Sequence, residues 1–216
     1  MKTKVFCIGF HKTGTTSLEV ALGALGYRVT GPNGHLDPDI EKNVLTMAYK
    51  LVEQYDAFQD NPWPILYKQL DARYPGSKFI LTLRDSQSWI NSQVKFFGRR
   101  ETPMRRLIYG VGNPEGNESV YLGRFESHNR DVLDYFRNRP GDLLVMDFAN
   151  GDGWEKLCPF LNLAVPITPF PHANRTQEKK PTFATPLIRR TKRLAFHLAR
   201  RGNRLSTTDK PGHVRN

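Results

Sequence analysis

Cysteine is scarce in this chain. Its 216 residues hold two, Cys7 and Cys158. Two isolated cysteines, one in an apolar run and one on a late apolar stretch, read as small buried residues rather than a disulfide or a nucleophile. Long apolar runs are missing too. None approaches the ~20 residues of a membrane-spanning helix. The N-terminal run is cut at His11-Lys12, too short for a signal peptide, so the expectation is a cytosolic protein. The six histidines show no H-x-x-x-H spacing, and no zinc or other metal is expected. Internal repeats and low-complexity tracts are also absent. Length and composition suit one soluble globular domain with a sizeable core.

Acidic residues run out before the chain does. Residues 175–216 hold twelve Lys and Arg but two Asp and Glu, against a net charge of +11 for the whole chain. The body, 1–174, is therefore nearly neutral, and the basic character belongs to a tail. Within the tail, 186–202 has helical spacing, with Leu187, Leu194, Ala195 and Leu198 on one face and arginines around the rest. Such a helix can lie on an anionic membrane surface, offer its charges to an anionic acceptor or another polyanion, or remain solvated. No specific nucleic-acid recognition is implied. Residues 203–216 read as disordered.

The body is organised around Val5 to Ser17, VFCIGFHKTGTTS. An apolar strand is followed by a short loop and then by helical spacing that stops at Gly26. That arrangement aims backbone N–H groups and the positive end of a helix dipole at one point, suited to a phosphate or another oxyanion. The alternative is an ordinary turn before a helix. A Walker A loop carries its lysine directly after the second glycine. Here Gly9 and Gly14 have the right spacing, Thr15 occupies the lysine position, and the cation is Lys12.

Further along, strand-like and helix-like segments alternate. Short strands are expected at 27–29, 56–60, 78–83 and 143–146. Helices are expected at 37–55 (capped by Asp37), 64–73, from Asp85 to about Phe97, 119–138 and 154–161. The segment 99–120 is less regular, either an insertion closing over substrate or a disordered surface loop. The pattern predicts an α/β domain, a three-layer parallel sheet of P-loop type with helices on both faces. Gly9, Asp60, Arg84 and Asp147 fall at predicted strand ends and should line one crevice. Arg84 can fork onto a phosphate, and Ser92 lies eight residues on, two turns along the next helix. The alternative for Arg84 is an ion pair with Asp85 or Asp60.

The motif H-K-T-G-T-T-S at 11–17 resembles the 5′-phosphosulfate loop of the PAPS-dependent sulfotransferases, whose usual form is K-[ST]-G-T-T-[WS]. The pattern R-D-x-x-x-x-x-x-S from Arg84 to Ser92 resembles their 3′-phosphate site. DAFQDNPWP, YPGSKFILTLRD, Arg124 to Val132, and GDGWEKLCPFL through PFPHAN are similar to a bacterial branch of that family, over roughly residues 4–174. The resemblance implies sulfuryl transfer from PAPS, leaving PAP, to a hydroxyl or amine of a small-molecule, carbohydrate or lipid acceptor. It implies His11, Lys12, Thr13, Gly14, Thr15, Thr16, Ser17, Arg84 and Ser92 as donor-binding residues. Lys12 would stabilise the leaving phosphate. Asp60 is the first choice for general base, with a helix cap as its alternative reading. His128 is the second, with a packed helix histidine as its alternative. Ser17 stands where many members carry an adenine-stacking tryptophan, so adenine must pack elsewhere. Two other readings stand beside this one. A small-molecule kinase using ATP is disfavoured by Thr15 and the Arg84/Ser92 pair, with Asp85 only a weak Mg²⁺ ligand. A non-catalytic nucleotide- or polyanion-binding module would explain the tail but not the loop.

Overall fold

Val5–Cys7, three consecutive buried residues, forms β1 at the centre of a five-stranded sheet. The computed structural model describes residues 2–173. The other strands are β2 (Val29–Thr30), β3 (Ala57–Phe58), β4 (Lys78–Thr82) and β5 (Leu143–Met146), in the order β2-β3-β1-β4-β5. Every pairing is parallel, with Val5 opposite both Ala57 and Lys78, and Thr82 opposite Met146. Buried, branched and aromatic strands of this kind need cover on both faces.

Two cores supply that cover. Phe6 and Ile8 of the β1 segment, with Phe79 and Leu81 of β4, point to an aromatic core. There they meet α2 (Ile40–Gln54), α3 (Tyr67–Arg73, after a 3₁₀ turn at Trp63–Leu66), α4 (Ser86–Phe97), α5 (Pro103–Tyr109) and α6 (Glu118–Tyr135). Val5, Cys7 and Ile80 point the other way, to a smaller aliphatic core under α1 (Thr15–Ala24) and α7 (Trp154–Phe160). Alternation along each strand thus sorts the sequence into two layers. Both cysteines are free and buried in the aliphatic core, as their sequence context predicts. No helix among the described residues is long and apolar enough to cross a membrane.

The chain leaves β1 along the aliphatic face through α1, but leaves β4 along the aromatic face through α4. Such a change of side opens a crevice beyond the carboxyl ends of β1 and β4, where open α/β sheets bind ligands.

The segment 99–120 is neither a plain loop nor disordered. It contains α5, whose N-cap Thr102 accepts Arg105 N at 3.2 Å, with Pro103 in the first turn and Gly110 in the left-handed conformation at the end. Met104, Ile108 and Tyr109 bury against the aromatic core. Arg105, only 5% exposed, donates to Gly112 O at 2.9 Å and covers the Phe97 ring at 4.4 Å. Two smaller expectations also change. Asp39, not Asp37, is the α2 N-cap, while Asp37 Oδ1 accepts the Asp39 N–H at 2.9 Å. Leu133 of α6 faces outward, 43% exposed. The tail helix at 186–202 and the rest of 174–216 lie outside the described residues.

Candidate active site

The loop after β1 packs onto β4 more closely than a side chain would allow. A Cβ on Gly9 would lie 2.0 Å from Thr82 Oγ1. Thr13 turns its hydroxyl inward, donating to Phe10 O at 2.6 Å and meeting Thr82 Oγ1 at 2.5 Å. Gly14 is the α1 N-cap with φ 102°, and a Cβ there would come 2.3 Å from the Phe148 ring. As a glycine it has no side chain to cap α1, and the first turn carries no acidic residue. The leading N–H groups of a helix have no intrahelical acceptor, so this terminus is open to an oxyanion. Thr16 is exposed there. Thr15 donates its hydroxyl to Asp60 Oδ2 at 3.5 Å, and Ser17 Oγ accepts Ala173 N–H at 3.1 Å.

Among the described residues, three non-glycine residues adopt positive φ: Lys12 at 70°, Asp60 at 62° and Asn162. Such conformations cost on the order of 1–3 kcal/mol, gather at functional sites, and persist only where the surroundings over-determine them. Two of the three are the residues that the sequence marks for transfer chemistry. Lys12 O accepts Arg84 Nη1 at 2.9 Å. Lys12 Nζ lies 4.0 Å from the centroid of the Phe96 ring, a cation–π contact on an exposed aromatic. Asp60 Oδ1 accepts Asn61 N–H at 2.7 Å. Next to it Gln59 Nε2 donates to Glu19 Oε2 at 3.2 Å, and burial, with a smaller push from Asp60, raises the Glu19 pKa.

Arg84 and Lys12, 72 residues apart, therefore meet beyond the carboxyl ends of β1 and β4, and Asp60 joins through Thr15. Ser92 stands half-buried on α4, one turn before Phe96, so the two share a helix face. Ser92 and Arg84 are not hydrogen-bonded to each other among the described residues. The other acidic strand-end residues act as caps. Asp85 accepts Ser88 N–H at 2.8 Å, which holds its carboxyl below the usual range, and Asp147 accepts Ala149 N–H at 2.9 Å.

Both candidate histidines, His11 in the loop and His128 on α6, are buried. His128 is 1% exposed, stacks on Phe10 with centroids 4.3 Å apart, and makes a 2.7 Å hydrogen bond from Nε2 to Ile8 O. Burial pushes its pKa down to about 4. It is a neutral core histidine, and the general-base reading is corrected on that ground. His11 is 3% exposed, with its ring among Asn61, Tyr109 and Phe97. Phe96, Asn61 and Tyr109 escaped the sequence reading. Only Phe96 carried a signal, four residues past Ser92 on the same helix face.

A family model described as a sulfotransferase domain matches residues 4–115 and 102–179. The chain belongs to that family. Among curated proteins it is similar to Ava biosynthesis cluster protein M of Aspergillus versicolor, with 28% identity over 212 aligned positions, 78% of this chain and 80% of the relative. As a sulfotransferase-domain protein the chain has sulfuryl transfer as its general activity, and the open α1 terminus beside Lys12 and Arg84 is where its geometry gathers cationic and N–H donors.

Proposed function

We propose that this protein moves the sulfuryl group of PAPS to a hydroxyl or amine of a small-molecule, carbohydrate or lipid acceptor. The observation that carries the reading is the 2.9 Å bond from Arg84 to Lys12 O, which joins the two phosphate-type motifs at one point. The residues present fit the donor. A bare, uncapped helix N-terminus suits the 5′-phosphosulfate. Arg84, with Ser92 on the helix beyond it, suits a 3′-phosphate. PAPS, when bound, supplies a sulfuryl group already activated by its phosphate leaving group.

The chain's own groups then divide the work. The Lys12 ammonium and the α1 terminus offset the negative charge that grows on the leaving oxygen as its bond to sulfur breaks. Asp60 Oδ2, whose Thr15 contact is long at 3.5 Å, takes the acceptor O–H or N–H proton as the new bond to sulfur forms. No metal has a part in this scheme. The Aspergillus relative is named for a biosynthesis cluster, which agrees with a small-molecule acceptor.

The test is sulfuryl transfer from PAPS across a panel of phenols, alcohols, amines and sugars, with wild type and Lys12→Ala. Removing one charge-stabilising donor of this kind costs roughly a hundredfold to a thousandfold in rate. We expect that loss with PAP still bound. An unchanged rate in Lys12→Ala would overturn the assignment.

A further inference from the structure

Lys12 and Asp60 leave different strands, and their chain neighbours are bonded to each other. His11 Nδ1 lies 3.1 Å from Asn61 Nδ2 and 3.4 Å from Asn61 Oδ1. The shorter contact is the amide N–H donating to Nδ1. A neutral imidazole then keeps its proton on Nε2, which faces Tyr109 Oη at 3.4 Å. The ring stands nearly perpendicular to Phe97 at 5.3 Å and to Tyr109 at 5.9 Å. Burial lowers its pKa, and the Asp60 charge opposes that with a smaller effect, so the imidazole is neutral and within the field of Asp60.

The backbone around it is fixed as firmly. His11 O accepts Trp89 Nε1 at 2.9 Å and Gln93 Nε2 at 3.0 Å. Lys12 O accepts Arg84 Nη1 at 2.9 Å. These two carbonyls belong to the peptide planes on either side of the Lys12 Cα, whose relative orientation is set by its φ, 70°, together with its ψ. Three donors from α4 and the end of β4 therefore hold Lys12 in a conformation it would otherwise leave. The His11 ring adds the missing link, because it ties that clamped segment to Asn61, the residue after Asp60, and to Tyr109 at the end of α5.

We propose that His11 is a positioning residue, which sets Lys12 against Asp60 and ties both to α5 without touching the donor. The inference rests on the proposed roles of Lys12 and Asp60. It predicts that His11 and Asn61 act as one unit, and that their loss lowers the rate of transfer rather than the affinity for nucleotide.

The experiment uses the full chain and needs no identified acceptor. Release of sulfate from PAPS to water is measured in single turnover, with PAP affinity by calorimetry and the thermal midpoint on the same samples. His11→Phe keeps the volume and ring contacts but removes both nitrogens. It should lower the rate 10- to 100-fold with PAP affinity within about threefold of wild type. His11→Asn, which restores an amide near the Nδ1 position, should recover most of the rate. Asn61→Ala should match His11→Phe, and the double variant should be no slower than the slower single one, since both remove the same tie. A wild-type rate in His11→Phe, or losses that multiply in the double variant, would overturn the inference. If His11→Phe does not fold, the split between rate and affinity in Asn61→Ala decides the matter alone. Lys12→Ala run in parallel separates the two claims: a full rate there defeats the reading of the site itself, whereas a dead Lys12→Ala beside a fully active His11→Phe defeats only the positioning role.

Discussion

The two faces of the sheet are built from different materials. The face under α1 and α7 is lined by Val5, Cys7, Ala21, Leu22, Ala57, Ile80 and Cys158, mostly small and aliphatic. The face under α2 to α6 is filled by rings: Phe6, Phe10, Phe58, Phe79, Trp89, Tyr109, Tyr121 and Phe125. Small residues let α1 lie close to the sheet, so that its N-terminus ends at the mouth of the crevice. Large interlocking rings make a thick, stiff wall, with Trp89 stacked on Phe125 at 4.2 Å and Tyr109 on Tyr121 at 3.8 Å. The wall also carries the polar anchors of the loop, since Trp89, Gln93 and Tyr109 all bond to His11. One face thus presents an uncapped helix N-terminus, and the other holds the lysine and carboxylate in positive-φ conformations beside it.

That division can be broken from either side. Trp89→Ala should have the largest effect, about 4 kcal/mol of stability in urea unfolding, chiefly from the lost ring, with His11 O keeping only its Gln93 donor. It should also loosen Lys12, so that sulfuryl transfer falls by more than the unfolded fraction explains. Leu22→Ala in the aliphatic face should cost about 3 kcal/mol. Its folded fraction should transfer sulfate at the wild-type rate. Equal catalytic damage from both would erase the distinction between the faces.

Acid should then destabilise the fold through the aromatic face, because His11 and His128, the histidines buried among the described residues, are there. The His128 pKa is pushed down to about 4 by burial, while an unfolded histidine titrates near 6.5. Below about 6.5 the unfolded chain binds the proton that the folded one refuses, so stability falls as pH drops from 6.5 toward 4. At pH 5 the loss from His128 is about 2 kcal/mol relative to pH 7. His11, also lowered by burial, adds to it in the same direction. His128→Gln can keep a donor for Ile8 O but does not titrate. Urea midpoints at pH 7 and pH 5 should therefore lie closer together in that variant.

Much of this was legible in the sequence where local signals were strong. KFILTL at 78–83 reads as a buried strand because it is one, and Leu143–Met146 matches to the residue. That Arg84, the Lys12 loop and Asp60 come together follows the sequence expectation for residues at strand ends, while Asp147 serves as a cap. What stayed hidden was tertiary. In α5 the capping signals Thr102-Pro103 and Gly110 were present, but the irregular segment around them read only as an insertion or a disordered loop. Arg105 is buried because the Phe97 face and the Gly112 carbonyl satisfy it. His128 looked catalytic because of its helix position within Arg124 to Val132, a stretch that resembles the bacterial branch of the family. Its backbone partner, Ile8, lies 120 residues away and leaves no mark in any local pattern. The clamp on Lys12 is of the same kind, with donors from α4 and from Arg84 just beyond β4 that only the folded chain brings to one loop.

The central claim is that one crevice recognises a 3′-phosphate through Arg84 beside the Lys12 loop. Calorimetric titration of the full protein with PAP, 5′-AMP and Mg²⁺–ATP tests it most directly, repeated with Arg84→Ala. The account predicts that PAP binds at least tenfold tighter than 5′-AMP, and that Arg84→Ala abolishes the difference. Equal binding of PAP and 5′-AMP by wild type, or a preference for Mg²⁺–ATP, would contradict it.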